Sequence, residues 1–387
     1  MTRVAITGIG VVAPGAMGIE PFAALLDSGK NAIGPIDRFD TEGLRAHNAA
    51  LVRNFVPKEF ISPIKLRRMN TLSRFGVAAA RLAAIDRGNE LPSGAGVAMG
   101  TAFGPVQTSV DYMKEYVEKG AALAPPQLFA ESVANAPGSH VGIDFGLRGF
   151  NVTLTQRESS ALAALMYGAS QVAKGTVPAA IAGGVEEVSE IVFAVLDRLG
   201  TLGHCSRPFD RRREGMVMGE GGAALVLEPE SDRAYAFVSG FGISRDRTAS
   251  ISDWGEGVES VVAAMRGAIE DADLSVGDID AIYASANSTV RADRLEYRAI
   301  QLLFADVPPV VATKGYFGEY AAAGALQIIA AALAIRDQKV HASLGFTQGD
   351  DEMRFVPTRE ASSRTLRHVL VNSLSAGGGI VSAVLSA

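Results

Sequence analysis

At 387 residues the chain is long enough for one large domain or two fused halves. Its 48% hydrophobic and 20% charged residues are those of a globular protein, and a net charge of −6 with a pI near 5.5 argues against nucleic acid as a partner. No apolar run reaches the ~20 residues of a membrane span, a single cysteine, Cys205, excludes an intrachain disulfide, and five scattered histidines show no metal-ligand spacing.

Residues Arg3 to Val12 form a short apolar run with glycines at positions 8 and 10. They predict a buried strand feeding a helix over Ile19 to Asp27. A strand so near the start leaves no room for a signal peptide, so a cytoplasmic protein is expected. The glycines fit a dinucleotide turn poorly, because no acidic residue follows a second strand at the required distance. Helical spacing continues from Ser62 to Arg87, with Lys65, Arg67 and Arg68 near its start. That basic cluster is either a solvated face or a docking point for an acidic partner. A second strand, Ala95 to Thr101, ends in the corner Ala102 to Pro105, and helices are predicted over Val106 to Lys119 and Pro126 to Asp144.

A β-branched strand, Phe150 to Thr155, then passes within a few residues into a small-residue helix, Ser160 to Ala173. A side chain at such a corner projects from the carboxyl end of a sheet beside the free N–H groups of a helix, where open α/β folds place their chemistry. Here that residue is Glu158. Buried strands over Ala179 to Gly184 and from Gly222 to Leu227 flank a polar, glycine-rich loop, Thr201 to Gly222.

The second half repeats the first. Tyr235 to Gly242 matches Arg3 to Gly10, with a helix following over Gly257 to Asp271. Ala281 to Ala284, turning at Ser285-Ala286-Asn287, matches Gly96 to Phe103. Val310 to Thr313 turns through Lys314 to Glu319 into an alanine-rich helix, Ala321 to Gln338, as the strand before Glu158 enters its helix. His341 to Phe346 is expected to parallel Ala179 to Gly184, and Arg367 to Leu385 to close as a hairpin with a glycine-rich tip. Helices with so little charge on any face imply two sheets stacked around them. The halves are expected to divide at residues 1–230 and 231–387.

The motif order resembles the β-ketoacyl-acyl-carrier-protein synthases of the thiolase superfamily over nearly the whole chain. Its markers are Val4 to Gly10, Gly146 to Gly149, Ala182 to Gly184, Arg207 to Asp210, Gly219 to Ala223, Ala312 to Lys314 and Asn372-Ser373. The resemblance implies an α/β fold of five layers, αβαβα, built from two pseudo-repeated halves. It also implies a cysteine nucleophile at the corner and two histidines that promote malonyl decarboxylation. Carried over by position, the cysteine falls on Glu158. The first histidine, counted back from Asp293 and Glu296, falls on Ser285, and the second falls on Glu319. Only the lysine, Lys314, is retained, and Ala376 stands at the gatekeeper position of the final glycine loop.

Cys205 lies in a loop away from any corner and reads as an incidental thiol. The pattern is therefore that of a chain length factor, the partner of a catalytic ketosynthase in type II polyketide synthases. Glutamine usually replaces the cysteine in those subunits. An ionised glutamate only accepts hydrogen bonds, which weakens any decarboxylase reading.

The resemblance further implies pairing along Phe150, Val152 and Leu154, and a tunnel at the interface shaped by Val106, Gln107, Thr108, Val110 and Tyr112 that limits product length. Acyl groups would arrive on the phosphopantetheine arm of an acyl carrier protein, docked through Lys65, Arg67, Arg68 and Arg211 to Arg213, with no other cofactor. Glu158 and Glu319 would fill the vestigial pocket, one of them neutral or both paired with Lys314 or Arg157. Two alternatives remain: a stand-alone enzyme using Glu158, Glu319 and Lys314 for proton transfer, and a subunit that primes synthesis by decarboxylating malonyl carrier protein.

Overall fold

The computed structural model describes residues 3–88 and 90–387. Ten principal strands form one continuous hydrogen-bonded path: β1 (Val4–Ala13), β2 (Gly96–Gly100), β3 (Asn151–Leu154), β4 (Ala180–Glu186), β5 (Gly221–Pro229), β6 (Ala236–Arg245), β7 (Ala281–Tyr283), β8 (Val310–Val311), β9 (His368–Leu374) and β10 (Gly379–Ser386). Their spatial order is β8-β7-β9-β10-β6-β1-β5-β4-β2-β3. Read outward from the centre, β6-β10-β9-β7-β8 repeats β1-β5-β4-β2-β3 strand for strand. In each half the outer three strands run parallel and the inner pairings are antiparallel. The halves meet through three residue pairs of β1 and β6, Val4 with Val238, Ala5 with Phe237 and Ile6 with Ala236.

Eight principal helices complete the layers: α1 (Thr71–Arg87), α2 (Val106–Lys119), α3 (Ala136–Phe145), α4 (Ser160–Ala173), α5 (Glu190–Arg198), α6 (Val258–Asp271), α7 (Val290–Leu303) and α8 (Ala321–Asp337). Helices α1 and α3 cover the outer face of the first half, and α6 and α7 that of the second. Between the halves lie α4 and α8, which pack on each other and on strands of both. The result is the expected five-layer αβαβα arrangement. Every residue of α8 from Ala321 to Ile335 is buried, so a polar stripe of the kind surface helices carry would have nowhere to point.

Close approach is bought with small residues. A Cβ on Gly100, at the end of β2, would lie 2.5 Å from the Ser160 carbonyl carbon and oxygen, and one on Gly184 would lie 2.9 Å from the Ala161 Cβ. The start of α4 can therefore press directly onto both strands.

Three expected elements differ. His341 to Phe346 is not a strand: the short strand Lys339–Val340 pairs with Ser362–Ser363, and the counterpart of β4 is β9. The reason is that β8 and β9 already occupy both sides of β7. The 341–346 segment instead gives its polar groups to side-chain and loop bonds, such as His341 Nδ1 with the Tyr283 hydroxyl at 2.6 Å. The span Ser62 to Arg87 is two helices, Pro63–Leu66 and α1, because the Asn70 side chain caps α1 by accepting from the Ser73 N–H at 2.7 Å. Pro126 to Asp144 likewise splits into Pro126–Glu131 and α3, with the buried Glu131 turning in to the Asn70 N–H at 3.2 Å and to His140 Nε2 at 2.7 Å.

The packing at Gly100 gives a direct test. Gly100→Ala is expected to cost about 2 kcal/mol or more, because backbone atoms and not a mobile side chain block the new methyl. Gly34→Ala, with nothing within 4 Å, serves as the near-neutral control in urea unfolding.

Candidate active-site remnant

Glu158 sits in the short turn Arg157–Ser159 between β3 and α4, and Glu319 sits just before α8. Both are buried. Anionic side chains suit these places, because each faces the N-terminal end of a helix. The turn is clamped to the second half of the chain. Ser159 Oγ donates to the Ser373 carbonyl at 3.0 Å, and Ser373 Oγ donates to the Glu158 carbonyl at 3.3 Å. Glu319 is held by backbone bonds to Val217 and Gly219.

The carboxylate of Glu158 pairs with neither Lys314 nor Arg157, so of the two expected arrangements the one with both carboxylates paired is not formed. Glu158 Oε2 accepts from the Ala376 N–H at 3.0 Å, so the glycine-rich loop and not a cation satisfies it. Ala376 is thus a backbone partner of the corner carboxylate. Glu319 does pair with Lys314, whose Nζ lies 2.5 Å from its Oε2 and also donates to the Ser285 carbonyl at 2.9 Å. Asn287 Nδ2 donates to the same Glu319 oxygen at 2.9 Å. Burial pushes Glu319 up to about 7, against the pull of Lys314 and helped by repulsion from Glu158. Its other oxygen, Oε1, has no partner among the described residues.

Ser285 takes no part in that pair through its side chain. Its Oγ accepts from the Leu374 N–H at 2.8 Å, while Glu296 accepts from the Ser285 N–H at 2.8 Å and from Asn372 Nδ2 at 3.1 Å. Burial lifts Glu296 to about 7 as well.

Sequence reasoning missed Glu186 and Glu187, at the end of β4. Glu186 lines the same cavity as Glu158 and Glu319 and accepts from the Ala102 N–H at 2.6 Å and the Phe103 N–H at 3.3 Å. Burial raises it to about 8 and raises Glu187 to about 7. The available signal was an acidic pair directly after the buried run Ala179 to Gly184. The cavity bounded by Phe103, Glu158, Glu186, Glu319 and Tyr320 has a volume of about 10 Å³, room for a single water molecule.

The tunnel candidates separate. Val106 and Val110 line an open apolar groove of about 480 Å³ with Met113, Val117 and Ile191. Thr108 is buried on the opposite side of α2, Gln107 bonds Asp111, and Tyr112 packs against Phe129. Strand β3, carrying Val152 and Leu154 and preceded by Phe150, pairs among the described residues with β2 alone, leaving its other edge open. Of the basic residues, Arg67, Arg68, Arg211 and Arg212 are exposed. Lys65 is tied to Asp144 at 2.5 Å, Arg212 to Asp210, and the buried Arg213 to Asp350 at 2.7 Å. Cys205 is half-buried. Among the described residues no helix is long and apolar enough to cross a membrane.

Stacked sheets around buried helices, with paired corners meeting at the centre, define a thiolase-like protein. Residues 1–233 match the beta-ketoacyl synthase N-terminal domain and residues 235–347 its C-terminal domain; the chain belongs to the beta-ketoacyl synthase family. It is 31% identical to the 3-oxoacyl-[acyl-carrier-protein] synthase 2 of Coxiella burnetii, over 99% of this chain and 98% of that protein. It is 33% identical to a Streptomyces cyaneus protein assigned the name polyketide beta-ketoacyl synthase 1, over 99% and 97%. Among solved structures it is similar to the ishigamide ketosynthase/chain length factor, with a TM-score of 0.93 at 28% identity over 100% of this chain and 99% of that one. A beta-ketoacyl synthase from Burkholderia phymatum gives a TM-score of 0.92, also at 28% identity, over 100% and 99%.

The raised carboxyl groups predict a pH dependence. Below the ordinary value of 4.5, Glu186 is protonated folded or unfolded, and its contribution to stability is fully present. Between 4.5 and about 8 the folded chain holds a proton that the unfolded chain releases, so stability is lost as pH rises through that window. Glu186→Gln keeps an acceptor for Ala102 and never ionises. Its urea midpoint is expected to fall less than that of the wild type between about pH 5 and about pH 9; equal slopes would show that Glu186 does not carry the effect.

Proposed function

We propose that this chain is a chain length factor: a subunit without a nucleophile that pairs with a cysteine-bearing ketosynthase and shapes the tunnel limiting product length. One observation carries the reading. The corner carboxylate is spent on the Ala376 N–H, and the space left at the site is about 10 Å³. An acyl thioester finds neither an attacking atom nor room. In acyl-transfer sites a backbone N–H at such a position is reserved for the developing oxyanion; here Glu158 occupies it. Glu158 and Glu319 act as plugs, and Lys314 offsets the charge of one of them.

The same closure disfavours the stand-alone reading. Lys314 and Glu319 can exchange a proton, yet the cavity beside Glu319 has room for only about one water molecule. The malonyl-decarboxylating reading lacks a donor at position 158. Support for pairing comes from the open edge of β3 and from the likeness to a structure titled ketosynthase/chain length factor. The partner would seat its own strand on β3, bringing the α2 groove against the tunnel that leads from its cysteine. Acyl groups delivered by an acyl carrier protein would enter from the partner's side, with Arg67, Arg68 and Arg211 as the basic residues free to meet its acidic surface.

Two experiments follow from this. The purified chain alone is expected to show no condensation or malonyl decarboxylation, and activity to appear on adding the ketosynthase encoded beside it. Turnover by this chain alone, abolished by Glu158→Ala, would sink the proposal. Within the complex, Val110→Phe is expected to shorten the product, because that side chain lines the groove. Thr108→Phe overfills a packed position instead, lowering stability by about 1–3 kcal/mol without a matching change in chain length. Mass spectrometry of the products and a melting curve separate the two.

A further inference from the structure

Arg157, beside the remnant site, carries a cation with no polar partner among the described residues. Its backbone has φ of 51°, a left-handed conformation that few non-glycine residues adopt and that tends to persist where a site needs it. Its guanidinium lies over the Phe103 ring at 4.9 Å and makes no hydrogen bond or ion pair among the described residues. Its Nε is buried without a partner. The neighbouring carboxylates are all engaged elsewhere. Glu158 turns inward to Ala376, Glu186 is held by Thr101, Ala102 and Phe103, and Glu319 by Lys314. A partly buried guanidinium without an ion pair, on a strained backbone, weakens the isolated chain, since stacking on Phe103 offsets less of its removal from water than a carboxylate would.

Its position says where the pairing comes from. Arg157 follows β3 directly, at the open edge of the sheet. Phe103 beneath it and Val106 at the start of α2 pack against the same buried cluster, and the surface continues along α2 through Met113 and Val117, which are 51% and 75% exposed. The residues 106, 110, 113 and 117 repeat at the narrow spacing of a helix–helix seam. Arg157 is thus a cation at the margin of an apolar, unpaired face.

We propose that Arg157 is a specificity-determining residue for the partner subunit: its guanidinium receives a carboxylate side chain that the ketosynthase presents beside the edge of β3. This rests on the pairing reading above. The planar fork of arginine matches a carboxylate with two parallel N–H···O bonds. Stacking on Phe103 holds the fork in place before the partner arrives, and a chain without that carboxylate would leave the cation buried and unpaired, which selects against wrong partners.

The test measures, for the full-length wild type and the variants Arg157→Gly, Arg157→Lys and Arg157→Glu, the melting temperature of the chain alone and the Kd for the cysteine-bearing ketosynthase encoded beside it. Arg157→Gly is expected to melt no lower than the wild type, since it relieves the backbone and removes an unpaired charge. It is also expected to weaken the complex about tenfold or more. Arg157→Lys should retain part of the affinity and Arg157→Glu should lose most. A lower melting temperature for Arg157→Gly with unchanged Kd would make the residue structural and overturn the proposal. So would self-association of the wild type that Arg157→Gly abolishes without ketosynthase present, which would make a second copy the occupant. If the wild type binds no ketosynthase, the pairing reading itself falls; if wild type and Arg157→Gly bind alike, only the role of Arg157 does.

Discussion

Everything in this molecule depends on burying two nearly charge-free helices between two half-sheets. Helix α8 is enclosed from Ala321 to Ile335 and α4 from Ser160 to Leu165, so their first turns, with free N–H groups and a positive dipole end, lie at the centre of the protein and not at its surface. Whatever side chain precedes each helix is carried inward with it. In this chain both positions hold glutamate, and the interior must accommodate two carboxyl groups within reach of one lysine.

The accommodation is uneven, and the unevenness is informative. Glu319 receives the charged partner, Lys314, while Glu158 receives only a backbone N–H, and Glu186 closes the third side with N–H groups of the Ala102 corner. Burial lifts Glu186 and Glu319 toward or above neutrality. An array of this kind weakens as its members ionise. It stands at the corner where open α/β folds place their chemistry, filling space and occupying backbone donors.

The repeat was readable because each half uses one order of elements, with glycines at strand ends, a corner, then a small-residue helix. Where the reading failed, a local pattern met a slot already filled. The run from His341 to Phe346 is apolar enough for a strand, but β7 has its two neighbours. The long helical patterns before Arg87 and Asp144 broke where Asn70 and Glu131 bond each other across the chain, a contact that spacing along either helix does not disclose.

By itself the sequence determined the layered α/β class, the two corners and the identity of the residues standing at them, because hydrophobic periodicity and small-residue runs are local properties. Its resemblance to the family, carried over by position, implied that Glu158, Ser285 and Glu319 stand where the cysteine and histidines would be. Only the tertiary structure decided what those residues do. Glu158 bonds Ala376, 218 positions away, Ser285 is absorbed by the backbone of Leu374, and Arg157, expected beside the carboxylates, lies outside them on Phe103. Pairing choices in a buried cluster depend on which donors the two halves bring together, and that is settled only when the sheets stack.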